Sequence, residues 1–173
     1  MSELRTNKIY PRDGLPAGAS GGIIQIVRTN FVDFYSNTSL IPLDDTIPQI
    51  TEGGEITTAT ITPTSSSNKI LISVVMQVAN DNAGNLSTIA LFRNSVSDAL
   101  AASWARTIAA NNPNSPMTIE YLDSPATTSP VTYRVRGGYS AGSSSTFQVN
   151  GGSGTRYFGG ALTSGITLME VSG

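Results

Sequence analysis

From Gly22 onward the sequence is built of short runs of Ile, Val, Thr and aromatic residues, each cut off by Gly, Pro, Asn or Ser. Helices need longer stretches with a 3.6-residue apolar period, whereas short β-former runs bounded by turn residues read as strands. Residues 23–27 and 32–35 are the first two runs. Residues 55–62 alternate Ile56, Thr58 and Thr60 against Thr57, Ala59 and Ile61, which suits a strand packed on one face. Residues 69–79 form the strongest run, with Ile70, Leu71, Ile72, Val74, Val75, Met76 and Val78; a segment this apolar suits a sandwich interior or a subunit interface. Residues 86–93 resume a strand. Residues 98–110 have the Ala and Leu content of a helix but lie between β segments, and are read as a strand. Further strands are expected at 117–122, 131–136, 145–149 and 166–171. Breakers fill the gaps: a loop over 40–54, a polar turn at 63–68, and an Asn- and Gly-rich turn at 80–85. Turn signals at this spacing predict an all-β sandwich or barrel.

Residues 1–21 differ. They carry Arg5, Lys8 and Arg12, then Pro11, Asp13-Gly14, Pro16 and Gly18. The prolines block a helix and a central strand position, and Asp13-Gly14 reads as a turn. The chain therefore divides into an extended N-terminal arm, 1–21, and one β-domain, 22–173. The arm's apolar residues, chiefly Leu4, Ile9, Tyr10 and Leu15, are too few for a core. They are spaced to seat in a partner's pockets, so the arm is expected to attach the domain to neighbouring proteins.

The 173 residues suit a single domain, and one near this size buries roughly 68–70% of its unfolded surface without needing a staple. Charged residues make up only 13% of the chain, against about 25% as usual. The surface is therefore polar but weakly charged, which permits close packing of identical subunits. Together with the apolar run 70–78, this predicts a homotrimer. The ten basic and twelve acidic residues give a net charge of −2, with no cationic cluster for a nucleic-acid backbone. The start lacks an apolar signal core, and no stretch approaches the ~20 apolar residues of a membrane helix, so a soluble, non-exported chain is expected.

Histidine and cysteine are both absent. That removes Ser-His-Asp and Cys-His catalysis, disulfides, and His or Cys metal sites. Catalysis would have to rest on carboxylates. Asp44, Asp45, Glu52 and Glu55 are the densest acidic group and could form a glycosidase pair or a calcium site. The plainer reading, solvated Asp residues capping turns, is preferred because spacing alone fixes no ligand geometry. Asp81, Asn82 and Asn85 lack the bidentate Glu of an EF-hand and read as a hairpin turn. Residues 151–154 share only glycine content with a phosphate loop. Arg136-Gly137-Gly138 reads as a strand end followed by a turn. Asn37-Thr38-Ser39 and Asn85-Leu86-Ser87 match the glycosylation pattern by chance. No catalytic residue, metal or cofactor is assigned. Trp104, Arg106, Tyr139, Arg156 and Tyr157 are the candidates for surface recognition, because aromatic faces stack on sugars and Arg forks bind carboxylates. Burial in the core or an interface is the competing reading.

The stretch Ile41-Pro42-Leu43-Asp44-Asp45-Thr46-Ile47-Pro48-Gln49 with Thr51-Glu52-Gly53 resembles a β-domain of bacteriophage tail-fibre and appendage proteins. The resemblance continues through Ala59-Thr60-Ile61-Thr62-Pro63-Thr64, Asn68-Lys69-Ile70, Ala90-Leu91-Phe92, Ala99-Leu100-Ala101-Ala102 and Tyr133-Arg134-Val135-Arg136. It returns at Arg156-Tyr157-Phe158-Gly159-Gly160 and Ser164-Gly165-Ile166-Thr167, covering roughly residues 22–172. Asn7-Lys8-Ile9-Tyr10-Pro11 and Gly21-Gly22-Ile23-Ile24-Gln25 are similar to the lead-in of such domains. The resemblance implies a jelly-roll-like sandwich, a homotrimer and a virion address, with no active site. The chain departs from long fibres by starting at its own Met1 without a shaft, which leaves tail and capsid surface both open. The reading is a virion structural protein, not an enzyme, with itself, other virion proteins and a host-surface glycan as partners. A capsid decoration protein is the alternative, followed by a stand-alone carbohydrate-binding module or a depolymerase.

Overall fold

A computed structural model describes residues 22–106, 115–141 and 144–173. The arm with Leu4, Ile9, Tyr10 and Leu15 lies outside the described residues, as do residues 107–110 of the expected strand 98–110. The strands are β1 (Ile23–Phe31), β2 (Tyr35–Asn37), β3 (Gly54–Ile61), β4 (Lys69–Asn80), β5 (Leu86–Arg93), β6 (Ala101–Arg106), β7 (Ser115–Asp123), β8 (Val131–Ala141), β9 (Phe147–Val149), β10 (Gly151–Gly152), β11 (Thr155–Arg156) and β12 (Ser164–Val171).

Their pairing is nested. β1 pairs with β12, β3 with β8, β4 with β7 and β5 with β6, all antiparallel. The principal strands thus form one long hairpin doubled over between β5 and β6. The hairpin then rolls up, because β12 also pairs with β4, and β8 with β5. This gives one sheet containing β1-β12-β4-β7 and a second ordered β3-β8-β5-β6. Two packed sheets with this connectivity are a jelly roll, so the all-β, jelly-roll-like sandwich expected from the sequence is the observed fold. β9 pairs with the last residues of β4 and carries β2 beyond it.

The core lies between the sheets. Ile70, Ile72, Val74, Met76 and Val78 of β4 point inward, against Ile56, Ala59 and Ile61 of β3, Ile89 and Leu91 of β5, and Val131, Tyr133 and Val135 of β8. The apolar run at 70–78 is therefore sandwich interior on one face, with Leu71 and Val75 left half-exposed on the other.

Three local expectations are corrected, and one segment gains structure that the sequence did not indicate. Residues 32–34 precede β2 instead of forming a strand with Tyr35. The turn at 80–85 is not a hairpin turn, because β4 and β5 belong to different sheets; it carries the chain across the sandwich. β8 does not end at Arg136 but continues through Gly137 and Gly138. Residues 151–156 form a small hairpin of β10 and β11. The glycines in β8 are there for clearance. A Cβ on Gly137 would sit 2.5 Å from the Phe147 ring, and one on Gly138 would sit 2.3 Å from the Ser39 carbonyl oxygen. The bare backbone admits a core ring from inside and a loop from outside.

Asn150 ties the sheet with β9 and β12 together. It sits at φ +58°, which Asn tolerates better than most residues. Its fully buried amide donates to the Phe31 and Asp33 carbonyls at 2.8 and 3.1 Å, and accepts from the Ser164 hydroxyl at 2.7 Å. Ser164 Oγ in turn accepts from the Gln77 amide, and the Asn150 amide donates to the Gln77 carbonyl. One side chain thus joins the end of β1, β4 and the start of β12. Replacing Asn150 by Ala removes three hydrogen bonds in a dry site and puts at φ +58° a residue that tolerates the left-handed region less well than Asn. A loss of about 3 kcal/mol in chemical denaturation is expected, with the m-value unchanged. Asn150→Gly, which keeps the backbone free, should lose less; equal stability of Asn150→Ala and the parent would refute this role.

Candidate functional site

The outer face of the β3-β8-β5-β6 sheet is crossed by a strap running from Leu40 to Gly53. Its ends are fixed by backbone hydrogen bonds. The Ile41 amide donates to the Tyr139 carbonyl, the Tyr139 amide to Ser39, the Ile50 amide to Ser97, and the Ala99 amide to Pro48. The Arg136 guanidinium donates to the Glu52 and Gly53 carbonyls at 2.9 and 2.8 Å. Ile41, 1% exposed, packs on Ala90 and Phe92, with Ile50 and Ala99 beside them. A second small core therefore holds the strap down.

Between the strap and β6 runs an open groove. One part, of about 410 Å³, is lined by Asp44, Asp45, Thr46, Ile47, Pro48 and Ala99–Ala102. A smaller hollow of about 180 Å³ shares Asp44, Thr46, Pro48 and Ala102 with it and reaches Ile41, Leu43, Ser103 and Trp104. Trp104 alternates outward from β6 with Ala102 and Arg106 and is 61% exposed, so this Trp is not a core residue. Polar oxygens on one wall, small alanines on the floor and an indole at one end make an arrangement able to hold a sugar ring.

The five recognition candidates fall on two sheets. Trp104 and Arg106 share the outer face of β6, and Arg106 donates to the Gly84 carbonyl. Tyr139 is half-buried on β8, where its backbone bridges Leu40 at the start of the strap. Arg156 and Tyr157 lie at the β10–β11 hairpin, beyond β9, where the Arg156 guanidinium covers Gly160 and the Tyr157 hydroxyl lies over Gly152. Phe158, which is not among the sequence candidates, is 78% exposed at φ +51°. An exposed ring in that backbone region is a signal visible only in the folded chain.

The acidic strap residues serve its own turns. Asp44 accepts from the Thr46 amide and hydroxyl, which lowers its pKa. Glu52 accepts from the Gln49 amide at 2.9 Å, and Glu55 pairs with Arg134 at 2.9 Å. Among the described residues, no group of three or more Asp and Glu is placed to hold a metal ion. Likewise, no described helix is long and apolar enough to cross a membrane.

Two buried carboxylates are structural. Asp123 receives Arg93 on both oxygens, at 3.0 and 3.1 Å, and the Tyr133 hydroxyl at 2.7 Å. Burial, then the hydrogen bond to Asp123, drive the Tyr133 pKa up. Glu170, 0% exposed, accepts from Gln25, the Thr64 amide and hydroxyl, and Asn68 at 2.6–2.8 Å. Burial pushes its pKa up, but the donors from Asn68, Gln25 and Thr64 outweigh this and hold it at about 2.

No protein-family model matches the sequence, and no curated protein does. Among solved structures, the chain is similar to the Eiger TNF from S. frugiperda, at 10% identity over 85% of this chain and 93% of that one, with a TM-score of 0.48. It is also similar to the infectious bursal disease virus Gt strain, at 12% identity over 86% of this chain and 37% of the viral one, with a TM-score of 0.42. The VP2 subviral particle of the same virus gives 12% identity, 87% and 38% coverage, and a TM-score of 0.38. The chain thus spans under two fifths of the viral chains it matches. The jelly-roll assignment rests on the strand pairing described above.

The Glu170 clasp gives the fold an acid limit. Its folded pKa lies below the ordinary 4.5, so its contribution is complete above about pH 5 and is lost as pH falls toward 2. Urea titrations from pH 7 to 2 should show that loss, and Glu170→Gln should flatten it while costing about 1–3 kcal/mol at pH 7. Parallel pH profiles for the two proteins would exclude the clasp.

Proposed function

We propose that this chain is a non-catalytic structural protein of a bacteriophage particle: a self-associating jelly-roll domain of tail-fibre or appendage type, attached through residues 1–21 and presenting the strap groove to a host-surface glycan. The observation that carries this reading is the docked strap. The segment from Ile41 to Gly53, where the sequence resembles phage appendage domains, builds one wall of an exposed groove that ends on Trp104. Several features support it. The jelly roll is an architecture of capsid and lectin domains. The strap carboxylates are occupied by turn and ion-pair contacts, which argues against a pair poised for hydrolysis. The arm precedes β1 in the sequence, and β1 pairs on one side only among the described strands.

Two measurements test the parts separately. Immunogold labelling should place the protein on the tail appendage, and deletion of residues 2–21 should preserve β circular dichroism and oligomeric state while abolishing incorporation into particles. Labelling of the head shell would replace the appendage role with decoration, and normal incorporation would remove the arm's role. On a host-glycan array, Trp104→Ala should weaken binding at least about tenfold without changing the thermal midpoint, because stacking of this kind is worth on the order of 1 kcal/mol or more. Binding that survives the substitution, or no glycan binding by the parent, would discard the groove as the receptor site.

A further inference from the structure

The sheet formed by β1, β12, β4 and β7 has a second, outward face that no described segment covers. Its strands are in register, so outward residues form rows across the sheet. One row is Ile26–Met169–Leu71–Leu122. All four are apolar; Ile26 is 59% and Leu122 49% exposed, with Met169 and Leu71 half-exposed between them. Ile23 and Ile24 add two more exposed apolar side chains at the β1 end. A contiguous apolar face of this kind marks an interaction surface.

The next row decides the partner. It reads Arg28–Thr167–Ser73–Glu120. Arg28 donates to Thr167 and Asn30 across the face, and no carboxylate reaches it among the described residues. Glu120 is exposed and has no partner among the described residues. The two opposite charges stand at opposite edges of the sheet, about 14 Å apart by strand spacing, too far to pair within one chain. They are, however, level along the strand direction. Rotation about an axis parallel to the strands preserves that level. It brings the β1 edge of one copy beside the β7 edge of the next, setting Arg28 against Glu120 and Ile26 against Leu122. Among the described strands, both β1 and β7 are sheet edges. With three copies the faces enclose a prism, its outer corners closed by the Arg28–Glu120 pairs and its centre filled by Met169 and Leu71.

We infer that this face is the surface through which copies of the chain assemble into a closed homotrimer, with the three-fold axis running along β4. The inference rests on the reading above that the domain self-associates, and it identifies the surface. The occupant is a second copy because the face supplies, level with each other and at its opposite edges, both halves of an ion pair and both halves of an apolar contact.

Sedimentation equilibrium of the purified full-length chain tests it. The parent should be a trimer. Arg28→Glu and Glu120→Arg should each shift the midpoint of trimer dissociation at least about tenfold in protein concentration, and the double swap should return it to within about threefold of the parent. Leu71→Glu, a half-exposed position, should give folded monomer by circular dichroism. A monomeric or dimeric parent would overturn the inference; so would single swaps that leave the trimer intact, or a double swap that fails to rescue. Because these variants are read as purified protein, a trimer absent from particles would defeat the virion role and leave the interface standing. Incorporation as a monomer would do the reverse.

Discussion

Every principal strand in the first half of this chain is completed by a strand from the second half, in reverse order. Ile23 meets Val171, at the two ends of the domain, and of these principal pairs only β5–β6 is local. The sandwich therefore closes through contacts remote in sequence, which makes folding slow and register costly to get wrong. The buried polar groups sit where that risk is greatest. Glu170 joins β12 to Gln25 of β1 and to the turn before β4. Asn150 binds the end of β1 to β12. A slip of one residue would turn the Glu170 carboxylate to the other face and leave its donors unpaired, a penalty that apolar side chains of similar size would not impose.

The two sheets use their outer faces differently. One is covered by the strap, whose anchor Ile41 sits in a separate apolar cluster. The other carries an apolar row without a cover among the described residues. With recognition proposed on the first face and assembly on the second, the shared core would hold both surfaces rigid.

Much of the architecture was legible in the residues because strand formation here follows local composition. Residues 86–93 were read to the residue as β5, and the core face of β4 follows from its Ile and Val alternation. What was not legible depended on partners distant in the chain. Gly137 and Gly138 look like a terminator in sequence, but they are strand interior because Phe147 and Ser39 need the space. The turn at 80–85 has hairpin chemistry and nonetheless crosses between sheets, since β4 finds its neighbours at β7, β9 and β12. Of the recognition candidates, Trp104 is distinguishable from a core Trp only once the alternation of β6 is fixed. The outward row Ile26–Met169–Leu71–Leu122 could not be read at all, because its members come from four separate segments.

The strap has an evolutionary consequence. It is held by backbone amides and carbonyls, by Arg136 on two carbonyls, and by one sunken isoleucine. None of these anchors uses the side chains of Leu43, Asp45 or Ile47, which are exposed at its crest. Substitutions there should be nearly free of folding cost, so the preference of the proposed glycan site could change while the scaffold beneath stays constant. A domain built this way separates what must be inherited from what can be varied, within a strap of about a dozen residues.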